Sequence, residues 1–225
     1  MAKALVRATR EAGARRARGG LAAARGPAPG AKATRRDAIL AAALDEFSAR
    51  GFAAARLDDV ARRAGVAKGT IYLYFKDKEA LFQELILFQL NPVVGAFEAA
   101  LGSDLPLATI VDRAVDIFVR EVYGTRRKLV MRLIISEGSR FPALAEFYYR
   151  EVLARILEAA RARLRRARER GEIPDDTLIR FPQLLGAASV LAIVWHGLFD
   201  RFEPLDVRPM MRAYFDRLLG PGRAT

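Results

Sequence analysis

From residue 34 onward apolar side chains recur at intervals of three and four, and no stretch sustains the alternation of a half-buried strand. The pattern predicts an all-α chain of about nine helices with no internal repeat. Thr34 is placed to cap a first helix with Ile39, Leu40, Ala43, Leu44 and Phe47 on one face, and Gly51 ends it. A short helix at about 57–64 follows, then a turn at Gly65 and a second short helix near 68–75. Asp77 caps the next helix, with Leu81, Leu85 and Phe88 inward; Asn91-Pro92 is expected to break or kink it before it continues to about Leu101. Asp104 and Pro106 open a helix ending near Gly124, and another spans about 126–137 up to Gly138. Pro142 starts a long helix striped by Leu153, Leu157, Ala160, Leu164 and Ala167. The arginines between Arg161 and Arg170 read as its solvated face. An uncharged helix lies within 181–199, and a last one runs from about Val207 to Leu219 with Met211, Tyr214 and Leu218 on one side.

The spacing around Gly65 satisfies a helix-turn-helix. Val60 and the small Ala61 face inward from its first helix, Gly65 tolerates a left-handed turn, and Val66, Ile71 and Tyr74 or Phe75 close the core. The second helix then presents Lys68, Gly69, Thr70 and Tyr72 outward: a cation, a place for close approach, a hydroxyl and an amphipathic ring. Such a surface suits a major groove, and Lys78 lies at the start of the following helix, within reach of a flanking phosphate. By spacing alone, a helical corner with no DNA role fits the same residues.

Charge adds less than its size suggests. Of the net charge of +12, residues 1–36 carry +9, with Glu11 as their one acidic side chain, so the body is close to neutral. Residues 1–33, rich in Ala, Gly and Arg, read as a disordered basic arm without the apolar core of a secretory signal. The chain has no cysteine and a single histidine, His196, which disfavours thiolate metal sites and histidine relays and suits a reducing cytoplasm. No Gly-rich phosphate loop or metal-ligand cluster supports an enzyme, and no cofactor is expected. The segment 181–199 is long enough on paper to cross a bilayer. Pro182, Gln183, Ser189 and His196 interrupt it, and a helix apolar all round also suits burial on two sides in a soluble assembly, so no membrane partner is expected.

The run Arg36-Asp37-Ala38-Ile39-Leu40 through Phe47 and Arg50-Gly51-Phe52, then Asp58–Ala67 and Lys68-Gly69-Thr70-Ile71-Tyr72-Leu73-Tyr74-Phe75, then Lys78-Glu79-Ala80-Leu81-Phe82, resembles the DNA-binding head of the TetR family of bacterial repressors. The resemblance implies an all-helical homodimer. A three-helix head at 34–81 binds double-stranded operator DNA, and a divergent domain at 82–225 dimerises and holds a small-molecule effector. It carries DNA contacts onto Lys68, Gly69, Thr70, Tyr72, Tyr74 and Lys78. The sequence departs from the family at two caps. Arg56 stands where a capping Ser or Thr is usual, offering phosphate a charge in its place, and Ala67 stands where Ser usually caps the recognition helix. Each lost cap costs about 0.5–2 kcal/mol of local stability. The stretch Leu133–Gly138 with Phe141-Pro142 and Glu146–Tyr149 is similar to C-terminal domains of an AcrR/AefR-like subgroup.

In that architecture an effector pocket lies between the middle helices. Its candidates are Phe88, Phe118, Met131, Ile135, Phe147, Tyr148 and Trp195, with His196 as a hydrogen-bonding group, although core packing is the commoner role of such residues at this spacing, and a lone histidine is more often a satisfied core or interface residue. The uncharged helix, with Gly186, Ala187, Ala188 and Gly197 for close approach, pairs with the last helix as an expected two-fold interface. A helical small-molecule-binding protein without sequence-specific DNA function is the alternative left open.

Overall fold

In the computed structural model the described residues are 29–220, with side chains from Thr34 onward, and they contain helices and no strand. Helix α1 (Pro29–Ala54) starts ahead of Thr34, which therefore lies inside the helix and does not cap it; the rest of the expected arm, 1–28, lies outside the described residues. Ile39, Leu40, Ala43, Leu44 and Phe47 are all buried, as their spacing requires. Helical geometry stops at Gly51 (φ 73°), and a further turn, Phe52 to Ala54, closes α1. A Cβ at Gly51 would sit 2.8 Å from the Glu137 carboxylate, so close approach as well as positive φ requires glycine there.

Helix α2 (Leu57–Ala64) buries Val60 and Ala61 and ends at Gly65 in the left-handed region, φ 65°. The Val66 N–H then donates to the Ala61 carbonyl at 3.0 Å, closing the turn into α3 (Lys68–Tyr72). Helix α4 (Lys78–Gly102) is capped by Asp77, which accepts from the Ala80 N–H at 2.7 Å. Asn91-Pro92 does not break it. Pro92 is exposed, so the carbonyl it leaves unpaired is on the solvent side, while buried Leu90, Val93 and Val94 hold the helix down.

Helix α5 (Leu107–Ile117) runs into a π-helical segment, Phe118–Tyr123, and α6 (Arg127–Glu137) follows. Helix α7 (Pro142–Tyr148), with proline in its first turn, passes through a second π-helical segment, Tyr149–Leu153, into α8 (Ala154–Glu169). The short α9 (Thr177–Arg180) precedes α10 (Leu184–Leu198) and α11 (Val207–Leu219).

Arg165 and Arg168 of α8 are exposed as expected, but Arg163 and Arg166, with Arg170 just past the helix, depart from a purely solvated face. Arg163 is 1% exposed and pairs with Glu172, while its Nη2 also donates to the Leu105 carbonyl at 2.9 Å. Arg166 donates to the Leu101 carbonyl at 3.0 Å and Arg170 approaches Asp104 at 3.3 Å. These side chains clamp the end of α4 and the turn into α5. The reason is that the last carbonyls of a helix lack internal partners and attract cations.

The core of α1–α4 continues into α6 and α7 through Val130, Leu133, Leu144 and Tyr148; the Phe52 and Phe141 rings meet edge to face at 4.8 Å. A second cluster joins α5, α8, α10 and α11. By length and composition α4 could cross a bilayer, yet Leu81, Phe82, Leu85 and Ile86 are fully buried in the protein core. Helix α10, which fills most of the uncharged segment, has 15 residues.

Candidate nucleic-acid interface and internal cavity

The α2–turn–α3 unit is anchored from one side. Ile71 is fully buried and Phe75 nearly so, which pins α3 and turns its opposite face outward. That face holds Lys68 and Gly69, both exposed, Thr70 half-buried, and Tyr72 at 49% exposure. A Cβ at Gly69 would meet nothing within 4 Å, so the surface there is open to close approach. Leu73, at 82% exposure, is the feature that sequence reasoning missed; its place between Tyr72 and Tyr74 disguised it as part of an apolar run. Tyr74 is half-buried and packs its ring 6.2 Å from Phe75.

Electrostatics organise this face. Lys68 Nζ lies 2.8 Å from Asp58 on α2, whose hydrogen bond and charge raise the lysine pKa above its ordinary value. On the inner side, the fully buried Glu46 carboxylate of α1 is met by Arg50 and by Arg63 of α2, each at 3.0 Å, tying the first two helices together. Arg56 is exposed and extended (φ −117°), and neither it nor Ala67 makes a side-chain cap.

Lys78 is placed differently from the sequence expectation. Its ammonium donates to the carbonyls of Phe52, Ala53 and Ala55 at 2.7, 2.9 and 3.1 Å and lies 4.8 Å over the Phe52 ring. All three of its donors are therefore satisfied within the protein, and burial lowers its pKa from the ordinary value. Within the protein it staples the end of α1, where the turn after Gly51 leaves carbonyls without helical partners.

In the body, a cavity of about 620 Å³ lies among α4–α8 and α10, its walls almost wholly apolar. Phe118, Met131, Ile135 and Tyr148 line it, as do Phe97 and aliphatic residues such as Val94, Val111 and Ile156 that carried no sequence signal beyond helical spacing. Four other candidates lie elsewhere. Phe88 is exposed on α4 and Phe147 is a half-buried contact of the core. Trp195 donates from Nε1 to the Glu203 carbonyl at 2.7 Å and packs on Phe199. His196 holds Asp200 at 3.0 Å and meets the Tyr123 ring edge to face. The last two belong to the α10 terminus, where their polar atoms satisfy the following turn. Tyr148 is buried, its hydroxyl makes no hydrogen bond among the described residues, and burial pushes its pKa up to about 12.

Residues 39–85 match the model of the bacterial regulatory proteins, tetR family, and residues 106–218 match the tetracyclin repressor-like C-terminal domain. The chain belongs to the TetR family of transcriptional regulators. This TetR-family chain is 30% identical over 184 residues to the HTH-type transcriptional regulator SrpR of Pseudomonas putida, covering 82% of this chain and 84% of that one. It is 30% identical over 141 residues to UidR of Escherichia coli K12, covering 63% and 70%. Among solved structures, Salmonella enterica GusR superposes with a TM-score of 0.66 at 24% identity, over 83% of this chain and 95% of that one. FadR from Bacillus subtilis in complex with stearoyl-CoA superposes at 0.65 and 18%, over 82% and 97%. The all-helical fold, the helix-turn-helix and a role in transcription rather than enzymatic catalysis follow from the family.

Proposed function

We propose that this regulator is a ligand-responsive repressor that binds a pseudo-palindromic operator as a homodimer and is released by a small, largely apolar effector held in the body. The head at 34–81 reads DNA with Lys68, Gly69, Thr70 and Tyr72, assisted by Tyr74 and by the charge of Arg56. Lys78 shapes the head and does not touch phosphate. Two such heads enter successive major grooves about 34–36 Å apart.

The observation that carries this reading is that the cavity and the head share structural members. Helix α6 contributes Met131, Ile134 and Ile135 to the cavity wall, and its far end places Glu137 against Gly51 of α1. Helix α4 lines the cavity with Leu90 and Val94 and buries Leu81 and Phe82 in the head. An occupant that favours one placement of α4 and α6 therefore changes the spacing of the heads, provided that it binds the two states with different affinity.

The test is Tyr72→Ala in the full chain, assayed by footprinting on operators found by genome-wide mapping of bound DNA. The substitution removes a half-exposed ring, so specific protection is lost while helicity and oligomeric state are retained. Unchanged protection would mean that α3 does not read the DNA.

A further inference from the structure

The cavity has a shape and a polarity that specify the chemistry of its occupant, a step that rests on the effector reading above. Along α4 its lining runs from Leu90 to Leu101, eleven residues or about 16 Å of helix axis. A volume of about 620 Å³ drawn out over that length is a channel, suited to an extended molecule.

Its polar groups are few. Tyr149 and Gln183 are exposed and stand at the rim, and Ser189 is half-buried on α10. Among the described residues no aspartate or glutamate lines the cavity, so nothing there offsets the burial of a cation. The one cation among the described lining residues, Arg163, is already balanced by Glu172 at 2.9 Å. Its Nε and Nη1 lack acceptors but are sealed from any probe by the surrounding packing, so an anion reaches them only by displacing the wall. Tyr148 differs: it is 92% buried, it lines the cavity, and its hydroxyl has no hydrogen-bond partner among the described residues. It lies fifteen residues before Arg163 on the continuous helix, about 22 Å away along the axis, so the guanidinium cannot compensate a charge placed beside it. Unlike the Arg163 nitrogens, the Tyr148 hydroxyl is not sealed by packing, so it is accessible from the cavity, and an oxygen acceptor on the occupant pairs a donor that an all-apolar occupant would strand.

We propose that the cavity binds an elongated, uncharged, mainly aliphatic molecule bearing one oxygen function, whose oxygen accepts a hydrogen bond from the Tyr148 hydroxyl. A carboxylate beside Tyr148 would be buried with a single neutral donor, and an alkylammonium would be buried with none.

The test is displacement of the fluorescent apolar probe N-phenyl-1-naphthylamine from the full-length protein, using dodecanol, methyl decanoate, dodecanoate and dodecyltrimethylammonium below their aggregation limits. The alcohol and the ester should displace the dye at concentrations at least tenfold lower than either charged probe. Tyr148→Phe, which preserves the ring, should weaken the alcohol and the ester three- to tenfold and leave dye affinity unchanged, which also reports that the variant is folded. Equal competition by a charged probe, or an alcohol affinity indifferent to Tyr148→Phe, would overturn the proposal while leaving an effector cavity in place. Failure of the dye and of every chain to enter would overturn the effector reading itself.

Discussion

At the scale of single residues, Lys78 shows how one side chain can serve either the fold or the ligand. Its position at the start of α4 points toward DNA, yet the three carbonyls left by the turn after Gly51 take all its donors. Lys78→Met keeps the aliphatic stem over Phe52 and removes the charge-assisted hydrogen bonds, each worth about 1.5–3 kcal/mol when buried and less at this half-buried site. A loss of about 1–3 kcal/mol in urea unfolding is expected. DNA affinity should fall because the head loosens, with the slope of log affinity against log salt unchanged. A slope shallower by about one would reveal a phosphate contact and contradict the staple.

At the scale of elements, the latch between α8 and the turn into α5 makes a prediction about pH. Burial disfavours the ionised form of Glu172, but the Leu107 amide and the Arg163 guanidinium outweigh it and hold the carboxyl below its ordinary value. A carboxyl depressed in the folded state contributes stability that is present above its unfolded pKa and lost as pH falls through the folded one. Glu172→Gln strands the buried charge of Arg163 and should cost about 3 kcal/mol near neutral pH, the lower end for a broken buried pair because Glu172 is 20% exposed. The gap between the two proteins should close as the pH drops below the ordinary carboxylate range; a gap independent of pH would mean that the pair is not ionic. The same region marks where sequence patterning stops being informative. Val60, Ala61 and Ile71 were legible as core, and Gly65 as a left-handed turn, because short-range spacing determines both. Arg163 was not, because its burial depends on Glu172 and on a carbonyl 58 residues away. At Pro92, where a break or a kink was expected, the helix is not broken, because tertiary packing of its neighbours outweighs the hydrogen bond it removes. The cavity was only half legible, since Phe97, Val94 and Val111 pattern like any core residue and nothing local reports that they face a void.

At the scale of the whole molecule, α10 carries an argument about assembly. Gly186, Ala187, Val190, Leu191, Gly197 and Leu198 are exposed at helical spacing on one face, while Ala188, Ala192 and Ile193 are buried on the other. The exposed face of this 15-residue helix, about 22 Å long, free of Asp, Glu, Lys and Arg and rich in small side chains, suits close packing against the same face of a second copy around a two-fold axis. Gly186, Ala187 and Val190 also line the cavity, so the proposed dimer seam and the proposed effector site meet on one helix. Leu191 belongs to the exposed stripe but does not line the cavity, which separates the two roles. Symmetry places any substitution there on both sides of the interface. Leu191→Asp would bury two like charges without partners, at several kcal/mol each, and raise the dimer dissociation constant by at least about a hundredfold. Sedimentation velocity should show monomers, and operator affinity should fall steeply because two heads no longer bind as one unit. Dye uptake by the cavity should persist in the monomer to the extent that the pocket is formed by a single chain. A Leu191→Asp protein that remained dimeric would place the interface on another face and remove α10 as the link between assembly and effector.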